Sequence, residues 1–276
     1  MTTCATCQGT GFELVEKDGG EFARPCSCRA TDRVAGRDFV RDCRIPPRFR
    51  EAALATYVAE VGDRSLSQVL ELCLGYCRGY PYADSPDEGL GLLFSGDNGV
   101  GKTHLAVAVL RELYEQKGVR GQFWDFHGLI REIRRSYDPE TRMSEFRVLE
   151  PVIEAEVLLL DDLGALKISD WMHDTLFYIL NSRYLAKRAN IITTNYEDID
   201  PAEARRAHDY EPGPDGRPVR GKLIFREYLV ERIGNGLRSR LMEMCHLIRM
   251  QGQDRRNWAQ ASTLRAIRRA GASGAR

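Results

Sequence analysis

Two patterns of apolar and polar residues alternate along most of the chain. Short, continuous apolar runs predict strands that are buried on both faces of a sheet. Five stretches carry such runs, and they span residues 90–95, 121–126, 157–164, 189–195 and 246–250. Segments with apolar residues every three or four positions predict helices, as in residues 103–117 and 170–187. The alternation predicts an α/β fold in three layers, with a central parallel five-stranded sheet between helices.

The length of the chain allows one large domain and a small additional module. At 276 residues it can bury the core of one α/β domain. We expect a cysteine-containing module at residues 1–30 and a basic linker with a helical segment at 31–88. The α/β domain follows at 89–260, and a basic, disordered tail at 261–276 ends the chain.

The charge of the chain is balanced, with 40 basic and 40 acidic residues. Attraction to a polyanion would therefore depend on local basic patches. No apolar run reaches the roughly 20 residues that a membrane-spanning helix needs. The N-terminal sequence MTTCATCQG also lacks the basic and apolar regions of a signal peptide. We therefore expect a cytoplasmic protein that has no membrane partner.

A phosphate-binding motif follows the first predicted strand of the α/β domain. It fits the pattern G-x-x-x-x-G-K-[ST] at every fixed position, and its residues are Gly96, Asp97, Asn98, Gly99, Val100, Gly101, Lys102 and Thr103. In such a loop backbone N–H groups surround the phosphates of ATP, the lysine adds a positive charge and the hydroxyl binds Mg²⁺. His104 comes next, in the following helix. The strand-loop-helix context predicts a P-loop NTPase that uses ATP and Mg²⁺.

Polar residues end two further predicted strands. Asp161 and Asp162 follow the apolar run VLLL, and Asn195 ends the run ANIITTN. Because the carboxyl ends of parallel strands meet at one edge of a sheet, we expect these side chains beside the phosphates. Asp161 is predicted to bind Mg²⁺ with Thr103, Asp162 to orient or deprotonate the attacking water, and Asn195 to detect the γ-phosphate, as in AAA+ proteins. The alternative for Asn195 is a cap on the following turn.

Several arginines precede the last predicted strand. An arginine at the edge of a nucleotide-binding sheet can neutralise charge on the γ-phosphate of a neighbouring subunit, which makes hydrolysis depend on assembly. We select Arg240, in LRSRLMEMC, for this catalytic role and for self-assembly. Arg238 and Arg232 are competing candidates, and a solvated helix face is the alternative.

The cysteines fall into two groups. Four of the eight lie in the first 30 residues, and they are Cys4, Cys7, Cys26 and Cys28. An alternating stretch with a DGG turn separates the two pairs and predicts a hairpin, whose arms could bring four thiolates around one Zn²⁺. A redox-active or unliganded thiol cluster is the alternative. Cys73 and Cys77 lie four positions apart on the apolar face of a predicted helix, so we expect them in the core.

Together these motifs resemble those of the DnaC/IstB-like AAA+ proteins, which include bacterial helicase loaders and the ATPase partners of some transposases. The resemblance covers roughly residues 45–260 and includes GVGKTHLAVAVLREL, LLLDDLG, ITTN and ERIGNGLRSRLMEMC. It identifies the phosphate loop as Walker A, the two acids as Walker B, Asn195 as sensor 1 and Arg240 as an arginine finger. It also implies that the segment near Arg48 and Phe49 lies against adenine. Aspartate at position 162, where many AAA+ enzymes have glutamate, implies slow ATP hydrolysis that assembly or DNA stimulates.

The family resemblance also implies a function in DNA replication. It predicts ATP-gated binding of single-stranded DNA and of a replicative ring helicase. Arg131, Arg134 and Arg135 are the expected DNA contacts, because arginines close to aromatic residues suit single strands, although a solvated helix face is the alternative. A zinc module favours a helicase loader, since some loaders carry zinc in their helicase-binding N-terminal domain. The other hypotheses are a transposition regulator that binds DNA and recruits a transposase, and an adaptor that binds ATP without hydrolysing it.

Overall fold

The computed structural model describes most of the α/β domain and one N-terminal hairpin. The described residues are 12–17, 20–25, 38–57, 64–81, 90–137, 144–166, 168–199, 211–212, 218–219, 228–252 and 254–255.

The hairpin predicted between the two cysteine pairs is present. Its strands β1 (Phe12–Lys17) and β2 (Gly20–Pro25) pair antiparallel. The four cysteines predicted to bind zinc lie outside the described residues, and they are Cys4, Cys7, Cys26 and Cys28. Among the described residues, no three or more His, Cys, Asp or Glu side chains are grouped so that they could hold a metal ion. Zinc binding therefore stays a prediction, as does the disordered tail, which also lies outside.

Helices precede and connect the strands of the α/β domain. In the described segments they are α1 (Phe39–Asp42), α2 (Arg64–Gly79), α3 (Lys102–Lys117), α4 (Phe126–Ser136), α5 (Glu145–Glu154), α6 (Asp170–Leu185) and α7 (Leu229–Met244). Two 3₁₀ turns, Pro47–Phe49 and Leu54–Thr56, lie between α1 and α2. Among these helices, none combines the length and the apolar character that crossing a bilayer requires.

The central sheet has five parallel strands, as predicted. They are β3 (Gly91–Gly96), β4 (Gly121–Asp125), β5 (Val157–Asp161), β6 (Ala189–Thr194) and, after the short antiparallel pair β7 (Glu211–Pro212) and β8 (Pro218–Val219), β9 (Cys245–Met250). The strand order is β4-β5-β6-β3-β9. The strands β5, β6 and β3 are therefore consecutive neighbours, and their carboxyl ends bring the acids, Asn195 and the phosphate loop to one place.

Helices cover both faces of this sheet. Alternate strand residues point to opposite faces, so Leu92 and Phe94 pack in a core with α2 and α3, whereas Leu93 packs in a second core with α4 to α7. The three-layer architecture is confirmed. Cys73 and Cys77 are buried in the first core, as expected, and burial raises the pKa of each thiol to about 12.

A buried arginine connects β5 and β6 at the amino edge of the sheet. Arg183 of α6 has no exposed surface, and its Nε donates a hydrogen bond to Oδ1 of Asn190 at 2.6 Å. Its other nitrogens donate at 2.6–3.0 Å to four backbone carbonyl oxygens, those of Val152, Ile153, Ala155 and Ala189. The guanidinium therefore joins the end of α5 to the starts of both strands.

Candidate nucleotide-binding site

The phosphate loop runs from the end of β3 to the start of α3. A Cβ atom on Gly96 would lie 1.8 Å from the carbonyl oxygen of Met250, so only glycine fits between β3 and β9. Gly101, the last residue before α3, has a φ of 105°, which side chains rarely tolerate. These glycines turn the backbone around the space in front of the helix N-terminus, where N–H groups and the helix dipole favour a phosphate.

Lys102 is held inside the loop. Its side chain is buried, and Nζ donates hydrogen bonds to the carbonyl oxygens of Gly96 at 2.8 Å and Asp97 at 2.7 Å. A buried ammonium needs acceptors, and in this structure the loop itself provides them. The lysine therefore stands where phosphate oxygens could replace these carbonyls as acceptors.

A cavity of about 400 Å³ opens in front of the loop. Its lining contains residues of the phosphate loop, of the start of α3 and of two strand ends, namely Asn98, Gly99, Gly101, Lys102, Thr103, His104, Asp161, Asp162 and Asn195. Arg48, Phe49 and Arg255 also line it. Five of the eight predicted Walker A residues thus line this cavity with Asp161, Asp162 and Asn195, whereas Gly96, Asp97 and Val100 do not. Arg48 and Phe49 lie there too, as the resemblance implied for the adenine side.

Asp161 lies at the centre of the polar edge of the sheet. Its Oδ1 accepts hydrogen bonds from the hydroxyls of Thr103 at 2.8 Å and Thr193 at 2.6 Å. Burial raises the pKa of the carboxyl group to about 6, with a further increase from the neighbouring charge of Asp162, while both threonine hydrogen bonds oppose the shift. A buried carboxylate beside a hydroxyl offers the oxygen ligands that Mg²⁺ prefers, so this pair fits the predicted metal. Mg²⁺ would also supply the positive charge that burial of the carboxylate demands.

Asp162 and Asn195 are in direct contact. The side-chain nitrogen of Asn195 donates to Oδ1 of Asp162 at 3.1 Å. Asp162 has a φ of 57°, an uncommon conformation for a residue other than glycine, and its backbone N–H donates to the hydroxyl of Thr193 at 3.0 Å. The backbone turn therefore directs Asp162 away from the buried position of Asp161 and into the cavity, next to the predicted sensor.

Three residues of the site were missed at the sequence level. Thr193, described above, is a β-branched residue inside an apolar strand, and nothing in the pattern distinguishes it from a core residue. Tyr57 donates its hydroxyl to the carbonyl oxygen of Val100 at 3.3 Å, and the Arg255 guanidinium lies 4.5 Å from the Tyr57 ring. The backbone N–H of Arg255 donates to the Gly99 carbonyl at 3.1 Å. Tyr57 and Arg255 reach the loop only through the tertiary fold.

His104 has a half-buried side chain next to Tyr57. The two ring centres are 5.7 Å apart, and Nε2 of His104 is buried and has no hydrogen-bond partner among the described residues. Burial lowers the pKa of the imidazole. His104 is therefore neutral at neutral pH and lines the cavity as a polar, uncharged group.

The three candidate finger arginines occupy different environments on α7. Arg240 does not line the cavity of its own chain; its guanidinium lies 4.1 Å from the Tyr184 ring and 3.4 Å from a carboxylate oxygen of Glu243. Arg238 forms an ion pair with the buried Asp198. Arg232 donates to the backbone carbonyls of Gly164 and Ala165 in its own chain. All three arginines thus have contacts within their own chain. A role of Arg240 in the site of a neighbouring subunit stays a prediction.

The predicted DNA-contacting arginines are on the surface of α4. Arg131, Arg134 and Arg135 are exposed. The Arg134 guanidinium lies 5.2 Å from the Trp171 ring, and Tyr137 packs against the same ring at 5.9 Å. Charged and aromatic groups therefore lie side by side on one exposed surface, formed by α4 and the start of α6.

Comparisons with known proteins agree with this site. Residues 87–198 match the family model of IstB-like ATP binding proteins. The crystal structure of the DnaC helicase loader has a TM-score of 0.57 and 32% identity, and the match covers 74% of this chain and 99% of that one. A putative ATP-binding protein of an insertion sequence from Geobacillus stearothermophilus is 33% identical over 104 residues, which are 38% of this chain and 39% of the relative.

A further relative is the replicative helicase loader DnaI of Bacillus subtilis (strain 168). It is 22% identical over 199 residues, which are 72% of this chain and 57% of DnaI. The family model covers the segment from the phosphate loop to Asn195, and the likeness to DnaC extends over nearly all of that structure. This chain therefore belongs to the DnaC/IstB-like family of AAA+ ATP-binding proteins.

Proposed function

We propose that this protein is an ATPase of DNA replication that loads a replicative ring helicase, with ATP controlling its binding to the helicase and to single-stranded DNA. One observation carries the proposal. The chain matches 99% of the DnaC helicase loader structure at 32% identity, and Lys102, Asp161 and Asn195 line one cavity in it. The proposed partners place its action in the cytoplasm.

The site supports hydrolysis of the γ-phosphate by water. Lys102 would exchange its loop carbonyls for phosphate oxygens, and Thr103 and Asp161 would hold Mg²⁺, which neutralises phosphate charge when bound. Asp162, held by Asn195, would accept a hydrogen bond from the attacking water and so place it in line with the bond to be broken. The aspartate side chain is short, so we expect slow turnover. Asn195 contacts both the acid and the cavity, and it is suited to detect the loss of the γ-phosphate.

Assembly would complete the site. Arg240 is near the surface and outside its own cavity, which is the position that an arginine acting on a neighbouring subunit requires. In the proposal it neutralises transition-state charge on the neighbour's γ-phosphate, so that turnover reports assembly along DNA. Arg131, Arg134 and Arg135 would bind the phosphates of the single strand, and Trp171 and Tyr137 would stack on bases. The N-terminal cysteines would bind a structural Zn²⁺ in a module that contacts the helicase, and the hairpin between them supports this part.

A second candidate function is regulation of transposition. It is favoured by the 33% identity to the insertion-sequence protein over 104 residues and by the match of residues 87–198 to the IstB-like family model. In that case the same ATP switch would control binding to duplex DNA and recruitment of a transposase. The two functions share the site and differ in the partner, so the partner has to be tested.

The experiment is a mass measurement by size-exclusion chromatography with light scattering. The full chain is mixed with the replicative helicase of its host, in ATP and in ADP, and Lys102→Ala is the matched control. We expect a stable complex whose formation differs between ATP and ADP, and we expect the control to behave identically in both nucleotides because it cannot bind either. Parallel measurement of ATP hydrolysis with single-stranded DNA tests the enzyme activity.

The alternatives give different results in the same experiment. No complex in either nucleotide, together with ATP-dependent binding to duplex DNA, would replace the helicase loader with the transposition regulator. ATP binding without hydrolysis, and without any change of assembly, would favour the adaptor.

A further inference from the structure

The turn that follows β5 positions Asp162. It contains Asp162 and Gly164, whose φ values are 57° and 89°, and the backbone N–H of Ala165 closes it by donating to the Asp162 carbonyl at 3.1 Å. The sheet holds one side of this turn, because the N–H of Leu163 donates to the Thr193 carbonyl at 2.9 Å and the carbonyl of Leu163 accepts from the Thr194 hydroxyl at 2.8 Å. A turn with two left-handed residues is strained and needs support from its surroundings.

Arg232 supports the other side of the turn. Its Nε donates to the Gly164 carbonyl at 2.8 Å, and its Nη2 donates to the Ala165 carbonyl at 3.2 Å. The same guanidinium lies 5.0 Å from the ring of Tyr196, the residue that follows Asn195. One planar side chain therefore hydrogen-bonds to the backbone of the turn after Asp162 and packs on the ring of the residue after Asn195.

The contacts around Gly164 are also close. A Cβ atom at this position would lie 3.1 Å from the Tyr196 ring and 3.3 Å from Cβ of Arg232. Glycine lets Arg232 and Tyr196 approach the turn from one side. The arrangement is therefore closely packed as well as hydrogen-bonded.

The helix that carries Arg232 is anchored independently. At the start of α7, the N–H of Tyr228 donates to the Glu231 carboxylate at 2.8 Å, and the N–H of Leu229 donates to the Glu197 carbonyl at 2.9 Å. Gly234, with a φ of 79° and a ψ of 162°, interrupts α7 just after this first turn. The segment with Arg232 is thus fixed to the strand end that bears Asn195, and it is separated by a kink from the segment with Arg240.

We propose that Arg232 is a positioning residue for ATP hydrolysis, which acts by holding the turn of Asp162 against the segment of Asn195. Arg232 is not among the residues that line the cavity, so it does not act by binding ATP. Without its guanidinium, the turn loses two hydrogen bonds on one side, and the Asp162 carboxylate loses its fixed place relative to the water. The inference rests on the proposed ATPase activity.

The test separates turnover from nucleotide binding in Arg232→Gln and Arg232→Lys. Steady-state hydrolysis gives kcat and KM, and a fluorescent ATP analogue gives nucleotide affinity. We expect kcat of Arg232→Gln to fall about tenfold or more, as small misplacements of catalytic groups do, while KM and affinity change less than twofold. Arg232→Lys keeps one donor to the turn and should retain an intermediate kcat. The matched control is Arg44→Gln, which removes an arginine stacked at 3.8 Å on Trp124, away from the cavity, and should keep the kcat of the unchanged protein.

Each outcome decides the proposal. A kcat equal to that of the unchanged protein in folded Arg232→Gln, or a rise in KM with kcat unchanged, overturns it. If Arg232→Gln fails to fold, Arg232→Lys decides: a lower kcat at unchanged KM supports the proposal, and an unchanged kcat overturns it. If the protein without substitutions binds ATP but does not hydrolyse it, both the proposed ATPase activity and this inference are overturned. If that protein hydrolyses ATP and the Arg232 variants have the same kcat, this inference alone is overturned.

Discussion

Asp161 and Arg183 are two buried charged residues at opposite edges of the central sheet, and the protein accommodates them differently. Arg183, at the amino edge, has five hydrogen bonds to neutral oxygens. Asp161, at the carboxyl edge, has two hydroxyl donors and no salt bridge to any basic side chain that the structure describes. Each of the three guanidinium nitrogens has at least one acceptor, whereas the aspartate charge is compensated only in part.

This difference separates a structural charge from a functional one. Burial lowers the pKa of Arg183 to about 9, which still leaves the guanidinium protonated at neutral pH. Burial raises the pKa of Asp161 to about 6, so the folded protein without a cation disfavours the charged carboxylate. A bound cation would lower the free energy of burying the ionised carboxylate. A buried charge that is compensated only when a ligand binds is expected at a functional site.

The largest effect on stability is expected from Arg183→Met. Methionine fills part of the space but removes the Arg183 donor from the Asn190 side-chain oxygen and from the carbonyls of Val152, Ala155 and Ala189, and unsatisfied buried groups each cost about 1–3 kcal/mol. We expect the free energy of unfolding to fall by about 4 kcal/mol or more, measured by urea denaturation. Arg188→Met is the matched control, because Arg188 is partly exposed and donates a hydrogen bond to only one of the four carbonyls that Arg183 contacts, that of Ile153. Its loss should cost about 1 kcal/mol. Equal losses in the two variants would show that Arg183 is not a structural connection.

Asp161→Asn should have the opposite sign. In the folded protein burial raises the pKa of Asp161 to about 6, above its ordinary value of 3.8, so the native state binds more protons than the unfolded state between these pH values. The stability contributed by this group is therefore present at low pH and is lost as pH rises through about 6. Asparagine does not ionise, so at pH 7 without nucleotide or metal the variant should be more stable by about 2–3 kcal/mol. It should also lose Mg²⁺-dependent hydrolysis.

The pH dependence and a control complete that test. The gain in stability should shrink as pH falls from about 6 towards 4 and should vanish below about pH 3, because Asp161 is then protonated in both states. Asp97→Asn removes an exposed carboxylate from the same loop region, and its unfolding free energy should change by less than about 0.5 kcal/mol. A destabilised Asp161→Asn at pH 7 would mean that the ionised carboxylate is already well compensated in the empty site.

The same comparison explains what the sequence could predict. Lys102 was found from the phosphate-loop motif, and Asp161 and Asn195 were found because each lies where an apolar run ends and parallel strands bring such ends together. The five parallel strands were predicted from the apolar runs and the alternation of elements, whereas their order in the sheet depends on the tertiary fold. Arg183 could not be found, because an arginine within an amphipathic helix has the same pattern whether it is buried or solvated. Arg232 and Arg255 reach the site from elements far away in sequence, so their contacts depend on the tertiary fold.

A smaller effect tests the environment of Asp161 through two adjacent threonines. Thr193 and Thr194 are both fully buried at the end of β6, and each hydroxyl donates one hydrogen bond and accepts one. Thr193 donates to the Asp161 carboxylate, whereas Thr194 donates to the neutral carbonyl of Leu163. Hydrogen bonds to charged groups contribute about 1.5–3 kcal/mol and those between neutral groups about 0.5–1.5 kcal/mol. At pH 7, Thr193→Val should therefore lower the free energy of unfolding by about 1 kcal/mol more than Thr194→Val.

The difference between the two threonine variants should depend on pH. The Thr193 hydrogen bond lowers the pKa of Asp161, so its removal raises that pKa further and the folded variant holds its proton to higher pH. Between the two pKa values the variant binds more protons than the unchanged protein, so its relative stability falls as pH rises through about 6. At pH 5 the two valine variants should become nearly equal, and Thr193→Ser, which keeps the hydroxyl, should follow the unchanged protein throughout. Urea denaturation of the three variants at pH 5 and pH 7 measures these differences in the free energy of unfolding. If Thr193→Val is still less stable than Thr194→Val at pH 5, the main contribution of Thr193 is the hydrogen bond that it accepts from the Asp162 N–H, and not its bond to the charged Asp161.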